Sequence, residues 1–306
     1  MAPVSLQAKQ QALISPIDRP SISMFSQHQQ PWLWLDGASN PNLETEVATL
    51  TAGLNYRWLW RGTRWEYSAP GYRQGPLLVP LSDTTLQMYL SKWAVDSTGV
   101  ILTTFQDKEA LFVHLQKMLT VKTSDNNPVM FNFGMTRQVE EFATGLPLPR
   151  FAQLMGPIHS IIFPCQDSFA TEWLQVQCPA QMTAAPAAEA FRLTAEEERS
   201  VNLANQAWFM KHAAKRITRQ MPKVTQQQNP EELSRRLEIF KKEADEAFLY
   251  RERDVYHYLL LRSTYPGKFF ADGSPLRALL SQRTVDPRLR LTECERRLQQ
   301  FVTEAN

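Results

Sequence analysis

The stretch Pro31–Pro41, PWLWLDGASNP, decides how the first half of this chain folds. In an extended strand successive side chains alternate between faces, so Trp32 and Trp34 share one face while Leu33 and Leu35 take the other. Both faces are apolar, which places the strand inside a sheet rather than at its edge. Asp36-Gly37 then reads as the strand exit, and Asn40-Pro41 as a cap and first-turn proline opening a helix. The alternative is chemical: an aspartate before a glycine, behind two tryptophans, could sit at the mouth of an active site. That alternative needs a catalytic partner elsewhere.

Outward from this strand, short apolar runs alternate with helical stretches. NLETEVATLTAG carries Leu43, Val47 and Leu50 at helical spacing, with Gly53 placed to end the helix. RWLWRGT and GPLLVPL read as strands, with Trp58 and Trp60 on one face. Asp83 can cap a helix through Leu86, Leu90 and Trp93, and Gly99–Phe105, GVILTTF, is a β-branched run covered on both sides. Asp107 caps KEALFVHLQKML, and PVMFNF and GPIHSIIFP supply further strands. This alternation predicts an α/β lobe, a mixed sheet with flanking helices, over residues 31–177. Residues 1–30, rich in Ser, Gln and Pro, read as a mobile or loosely packed arm. Residues 178–190 form an Ala/Pro-rich linker, and residues 191–306 an all-α lobe. There Thr194 and Glu197 make a capping box, and Asn229-Pro230 caps a run read as one helix to about Leu261, ~45 Å long. A last helix is expected over Arg288–Val302.

The chain has 306 residues, 43% hydrophobic and 21% charged, with a formal net charge of +2. So small a charge argues against nucleic acid as the main partner, and no apolar run is long enough to insert in a membrane. The N-terminus lacks a basic region followed by an apolar stretch, so no secretory signal is expected. Cys165, Cys178 and Cys294 give neither a metal spacing nor an even disulfide set and read as reduced thiols. No phosphate loop, nucleophile elbow or His-Glu-x-x-His motif is present, and the five histidines are scattered. No catalytic, cofactor-binding or metal-ligating residue is therefore assigned, and no cofactor is expected. A hydrolase or transferase would have to rely on Asp36 and a remote histidine. The tryptophans at 32, 34, 58, 60 and 65 read as aromatic core, or as a platform for docking a peptide or helix.

Taken in order, WLWLDGA, LWRGT, GPLLVPL, GVILTTF, LFVHLQKMLTV, VMFNFGMTRQV and MGPI resemble the N-terminal domain of the bacterial type VI secretion system effector adaptor/chaperone family, domain of unknown function 4123, over about residues 32–158. The resemblance implies a cytoplasmic chaperone that binds a secreted effector protein and loads it onto the VgrG spike protein, by binding alone. It also implies a helical C-terminal part that fits the effector. One departure stands out. The family's usual aromatic-Arg-aromatic run followed by Tyr-Asp-Pro-Arg reads here Phe131-Asn132-Phe133-Gly134-Met135-Thr136-Arg137, keeping the aromatics and the final arginine. Arg137 is accordingly a candidate partner-binding residue, with a salt bridge as its structural alternative. Cations outnumber carboxylates beyond residue 191, and there Arg235, Arg236, Lys241, Lys242, Arg251 and Arg253 are candidate contacts, with Trp208 and Phe248 as aromatic anchors. A structural component of the secretion apparatus is the remaining alternative, and it would self-assemble.

Overall fold

The strand formed by the opening stretch, β2 (Gln30–Asp36), lies inside a seven-stranded sheet, between β4 (Pro76–Pro80) and β5 (Gly99–Thr104). The computed structural model describes residues 13–51, 56–67, 71–96, 99–165, 172–179, 190–222 and 229–304. Around β2 the order is β1 (Ile14–Ile17), β9 (Trp173–Gln177), β8 (Ile158–Pro164), β5, β2, β4 and β3 (Arg57–Trp58). Trp34 stands opposite Leu78 on one neighbour and Val100 on the other, Leu33 opposite Val79 and Ile101. The alternation divides two cores. Trp32 and Trp34 join one cluster with Leu102, Leu115 and Phe133. Leu33 and Leu35 join another with Val47, Tyr89 and Trp93. All six residues of β5 are buried, as a strand covered on both sides requires.

An α/β lobe followed by helices is therefore the architecture, but the sheet is antiparallel at every named pairing rather than mixed. Strands β4 and β5 both run against β2, so they run the same way as each other with β2 between them. The helix α2 (Asp83–Met88) thus belongs to a connection that steps over one strand. Strand–helix alternation in sequence cannot distinguish this from a crossover between adjacent parallel strands, because both need a helix-length connection.

Local signals fall close to expectation. Helix α1 runs Leu43–Leu50, with Asn40 bonding the Asn42 amide at 3.0 Å. Ser82, not Asp83, caps α2, in a reciprocal box with Thr85. Asp107 caps α3 (Lys108–Met118) through the Ala110 amide. A ribbon of β6 (Thr120–Lys122) and β7 (Pro128–Met130) precedes α4 (Thr136–Gly145) and α5 (Leu148–Met155). Residues expected in a loose arm supply the edge strand β1, paired to β9. Strand β3 ends at Trp58, so Trp58 and Trp60 part company: Trp58 packs in the core of Leu33, Trp60 against that of Trp34. The expected helix end at Gly53 and most of the Ala/Pro-rich linker lie outside the described residues.

The chain divides into two compact units, Met1–Asn205 and Gln206–Asn306. The division falls inside α6 (Ala195–Gln220), past the expected linker, because Phe191 and Leu193 are still buried in the core of the first unit. The Thr194–Glu197 box opens α6 as expected, with bonds of 3.2 and 2.9 Å.

In the second unit, α7 (Pro230–Glu246), α8 (Glu252–Thr264), α9 (Pro275–Leu280) and α10 (Pro287–Glu304) enclose Leu237, Leu249, Tyr258, Leu259, Leu280 and Leu291. The single helix expected to Leu261 is two. At its break Phe248 adopts φ 60°, its amide bonds Asp245 O and the Leu249 amide reaches back to Ala244 O. This is a Schellman turn, with a phenylalanine where glycine is usual. Helical spacing continues across it because Phe248 itself lies four residues after Ala244 and seven before Val255, so spacing alone hides the break.

Candidate functional site

A cleft of about 410 Å³ opens in the first unit beside β3. Its position follows from the opening stretch. Gly37 approaches the chain at Arg73–Gly75 so closely that an added Cβ would lie 2.0 Å from Arg73 O and 2.9 Å from the Trp58 ring. Any side chain there would push the two segments apart. Their contact sets the 3-10 turn Tyr72–Gln74 against β3, with the Tyr72 and Trp58 rings edge-on at 5.9 Å.

Four elements line the cleft together with Tyr72 of the 3-10 turn. Glu44 comes from the first turn of α1, Tyr56, Arg57 and Trp58 from β3 and its approach, Arg61 from the following turn, and Phe112 from α3. Glu44 is heavily bonded: Arg73 Nε donates at 2.6 Å, Trp58 Nε1 at 3.3 Å and the Tyr56 hydroxyl at 3.4 Å. Burial raises the Tyr56 hydroxyl above its ordinary range, and the facing Glu44 carboxylate adds to the rise. Arg57 forks onto Glu109 at 2.8 and 2.7 Å and lies 5.0 Å from the Phe112 ring centre. Arg61 stands over Tyr72 at 5.8 Å. Guanidiniums laid on aromatic rings, beside a fully bonded carboxylate, make a surface suited to recognition through stacking and planar hydrogen bonds.

Asp36 is committed elsewhere. Its oxygens accept from the Ala38 amide at 3.2 Å and the Ser39 hydroxyl at 2.7 Å, so it holds the turn after β2. Among the described residues no group of three His, Cys, Asp or Glu could hold a metal ion, and no helix is long and apolar enough to cross a membrane. No disulfide joins Cys165, Cys178 and Cys294.

None of the candidate contacts singled out from sequence lines the cleft. Arg137 pairs with Glu141 at 2.6 Å, and that nearly buried carboxylate also accepts from Asn205 at 2.7 Å. Arg235 and Lys242, seven apart on α7, share an exposed face with Glu231, Glu238 and the half-exposed Ile239, so the face is mixed in charge rather than basic. Arg236 lies over Phe240 at 5.7 Å, and Lys241 is paired with Asp245 at 2.6 Å. Phe248 is half-buried under Arg283, 3.8 Å above its ring. Arg251 is the exposed cap position of α8, Arg253 pairs with Asp254 at 3.1 Å, and Trp208 stacks on His212 at 3.6 Å. Residues 248 to 251 are brought together in the α7–α8 turn; the others are distributed along helices.

Residues 32–153 match the family model for a domain of unknown function, DUF4123. No curated protein and no solved structure matches the chain. The DUF4123 match ends within α5, so β8, β9 and helices α6 to α10 lie beyond it. Every residue lining the cleft falls inside it, whereas of the residues chosen from sequence only Arg137 does. The signal for the cleft was present in RWLWRGTRW, where arginine and tryptophan alternate. Without the fold, it could not be separated from core packing.

Proposed function

We propose that the protein is a non-catalytic adaptor that binds an effector of a type VI secretion system and loads it onto the VgrG spike protein in the cytoplasm. The ordered motifs of the first lobe support this reading, since they resemble the adaptor family over the stretch that matches DUF4123. The observation that carries it is the cleft beside β3, inside that stretch, where aromatic rings and guanidiniums face outward around a carboxylate already satisfied by three donors. Such a surface supplies apolar anchoring together with directional polar contacts, the combination interfaces use for affinity and specificity. The carboxylate on which a hydrolase or transferase would rest, Asp36, is engaged by its own turn.

The test is co-expression of the full chain with VgrG and candidate effector proteins of the same genome, followed by affinity capture at mild salt. Recovery of either partner in stoichiometric amount supports the adaptor reading. Recovery of neither removes it.

A further inference from the structure

The charges around the cleft do not cancel. Arg57 is neutralised by the two oxygens of Glu109, and Glu44 by Arg73 with help from Trp58 and Tyr56. Arg61 is exposed, and among the described residues no carboxylate lies within ion-pair reach of its guanidinium. The same holds three residues on, where exposed Arg64 lies 4.6 Å over the Trp65 ring. The one carboxylate of that loop, Glu66, is bound to the Gly62 amide at 2.9 Å. A guanidinium resting on a ring keeps its in-plane N–H donors directed outward, in the fork that fits a carboxylate.

Resting on the adaptor reading, we infer that this cleft receives an acidic-aromatic peptide segment of the partner protein. The segment's carboxylate sits on Arg61 and its ring packs against Tyr72, Tyr56 and Phe112. The sign of the occupant follows from the uncompensated cation, because a lysine-rich segment would meet Arg61 and find Glu44 already neutralised. The size of its charge follows from Arg61 being a single cation. A phosphate dianion would leave one negative charge uncompensated there, whereas a single carboxylate balances it, and a peptide amide can donate to the Glu44 lone pair that three donors leave open. A volume of 410 Å³ is near the low end of the ~300–1,000 Å³ typical of ligand sites, enough for a side chain or two of a peptide and too small for a folded element.

The test uses the full-length protein and three labelled, acetylated and amidated pentapeptides read by fluorescence anisotropy: Gly-Asp-Phe-Glu-Gly, its Asn/Gln counterpart and its Lys/Lys counterpart. The acidic peptide is expected to bind best, and Arg61→Gln to weaken it about tenfold with an unchanged melting temperature. Arg61→Glu should transfer the preference to the lysine peptide, a reversal that loss of folding cannot imitate. Equal binding of all three peptides, no binding up to millimolar concentration, or indifference to Arg61→Gln overturns the inference. So does displacement of the acidic peptide by inorganic phosphate or a single-stranded oligonucleotide at lower concentration than by unlabelled peptide. The two readings fail separately: wild-type and Arg61→Gln proteins capturing VgrG or effector equally would sink the cleft assignment alone. Peptide selectivity without capture of either partner would sink the adaptor reading alone.

Discussion

The Trp34 indole nitrogen donates a 2.9 Å hydrogen bond to the side-chain oxygen of Asn132, joining strand β2 to the Phe131–Arg137 segment. The same oxygen accepts from the Gly134 amide at 2.8 Å, and the Trp34 and Phe133 rings meet edge to face at 5.8 Å. Trp34 is fully buried, so its N–H must find a partner inside the protein. An arginine at 132 would offer only donors to that N–H. Asparagine supplies the acceptor.

Replacing Asn132 with Ala should therefore lower stability by about 1–3 kcal/mol, the cost of leaving a buried donor unmet. Asn132→Arg should be at least as damaging, and Gly134→Ala should also destabilise, since its Cβ would lie 2.9 Å from two atoms of the Trp34 ring. Urea unfolding followed by tryptophan fluorescence measures all three. Wild-type stability in Asn132→Ala would show that the bond carries no net weight.

Phe248 offers a separation of stability from binding. Its left-handed backbone, φ 60°, costs a non-glycine residue roughly 1–2 kcal/mol, so Phe248→Gly should keep or raise the melting temperature despite losing the Arg283 contact. If Phe248 serves as an anchor for a partner, the same substitution should weaken capture. A stable variant with undiminished capture would remove Phe248 from the candidate contacts.

Arg290 is a buried cation at two helix ends. It donates to the carbonyls of Ala247, at the end of α7, and Leu280, the last residue of α9, where exposed carbonyls favour positive charge. Burial lowers its pKa from the usual arginine value, which these carbonyl contacts must offset. Arg290→Met should destabilise by about 1.5–3 kcal/mol, and hydrogen exchange should speed up in the last turns of α7 and α9. Unchanged protection at both ends would contradict this role.

His114 sets an acid limit. Its Nε2 faces the Leu154 carbonyl at 3.0 Å, and since a carbonyl only accepts, Nε2 carries the proton of the neutral ring. Burial pushes its pKa down from 6.5 to about 4, with the Leu154 bond acting in the other direction. The unfolded chain takes up the proton first, so stability is complete above pH 6.5 and declines as pH falls towards 4. The loss from this group is roughly 3 kcal/mol. His114→Gln should flatten the stability profile between those values. A profile parallel to wild type would assign the acid sensitivity elsewhere.

What could be read before folding was local or periodic. Alternation in WLWLD correctly divided Trp34 from Leu33 between two cores, because a strand's side chains have no other arrangement. The caps at Asp107, Thr194 and Asn229 were legible because each bonds an amide two or three residues away. The break at Phe248 was not, since phenylalanine carries no turn signal and its own position, four after Ala244 and seven before Val255, keeps the helical spacing. The cleft was hidden for a different reason: Glu44, Arg61 and Phe112 are remote in sequence and ordinary on their own elements.

By itself, then, the sequence determined the central strands and the helix starts of the first lobe, which faces of them are apolar, and that Asp36-Gly37 ends a strand, but not strand β1 or the break at Phe248. Those properties depend on neighbours within a turn or a pleat. Tertiary structure alone decided that the sheet is antiparallel, that the units part inside a helix, and that Glu44 is neutralised while Arg61 is left uncompensated. Pairing direction and charge balance depend on which distant groups meet within hydrogen-bond reach, and close approaches such as Gly37 against Arg73–Gly75 are what bring them there.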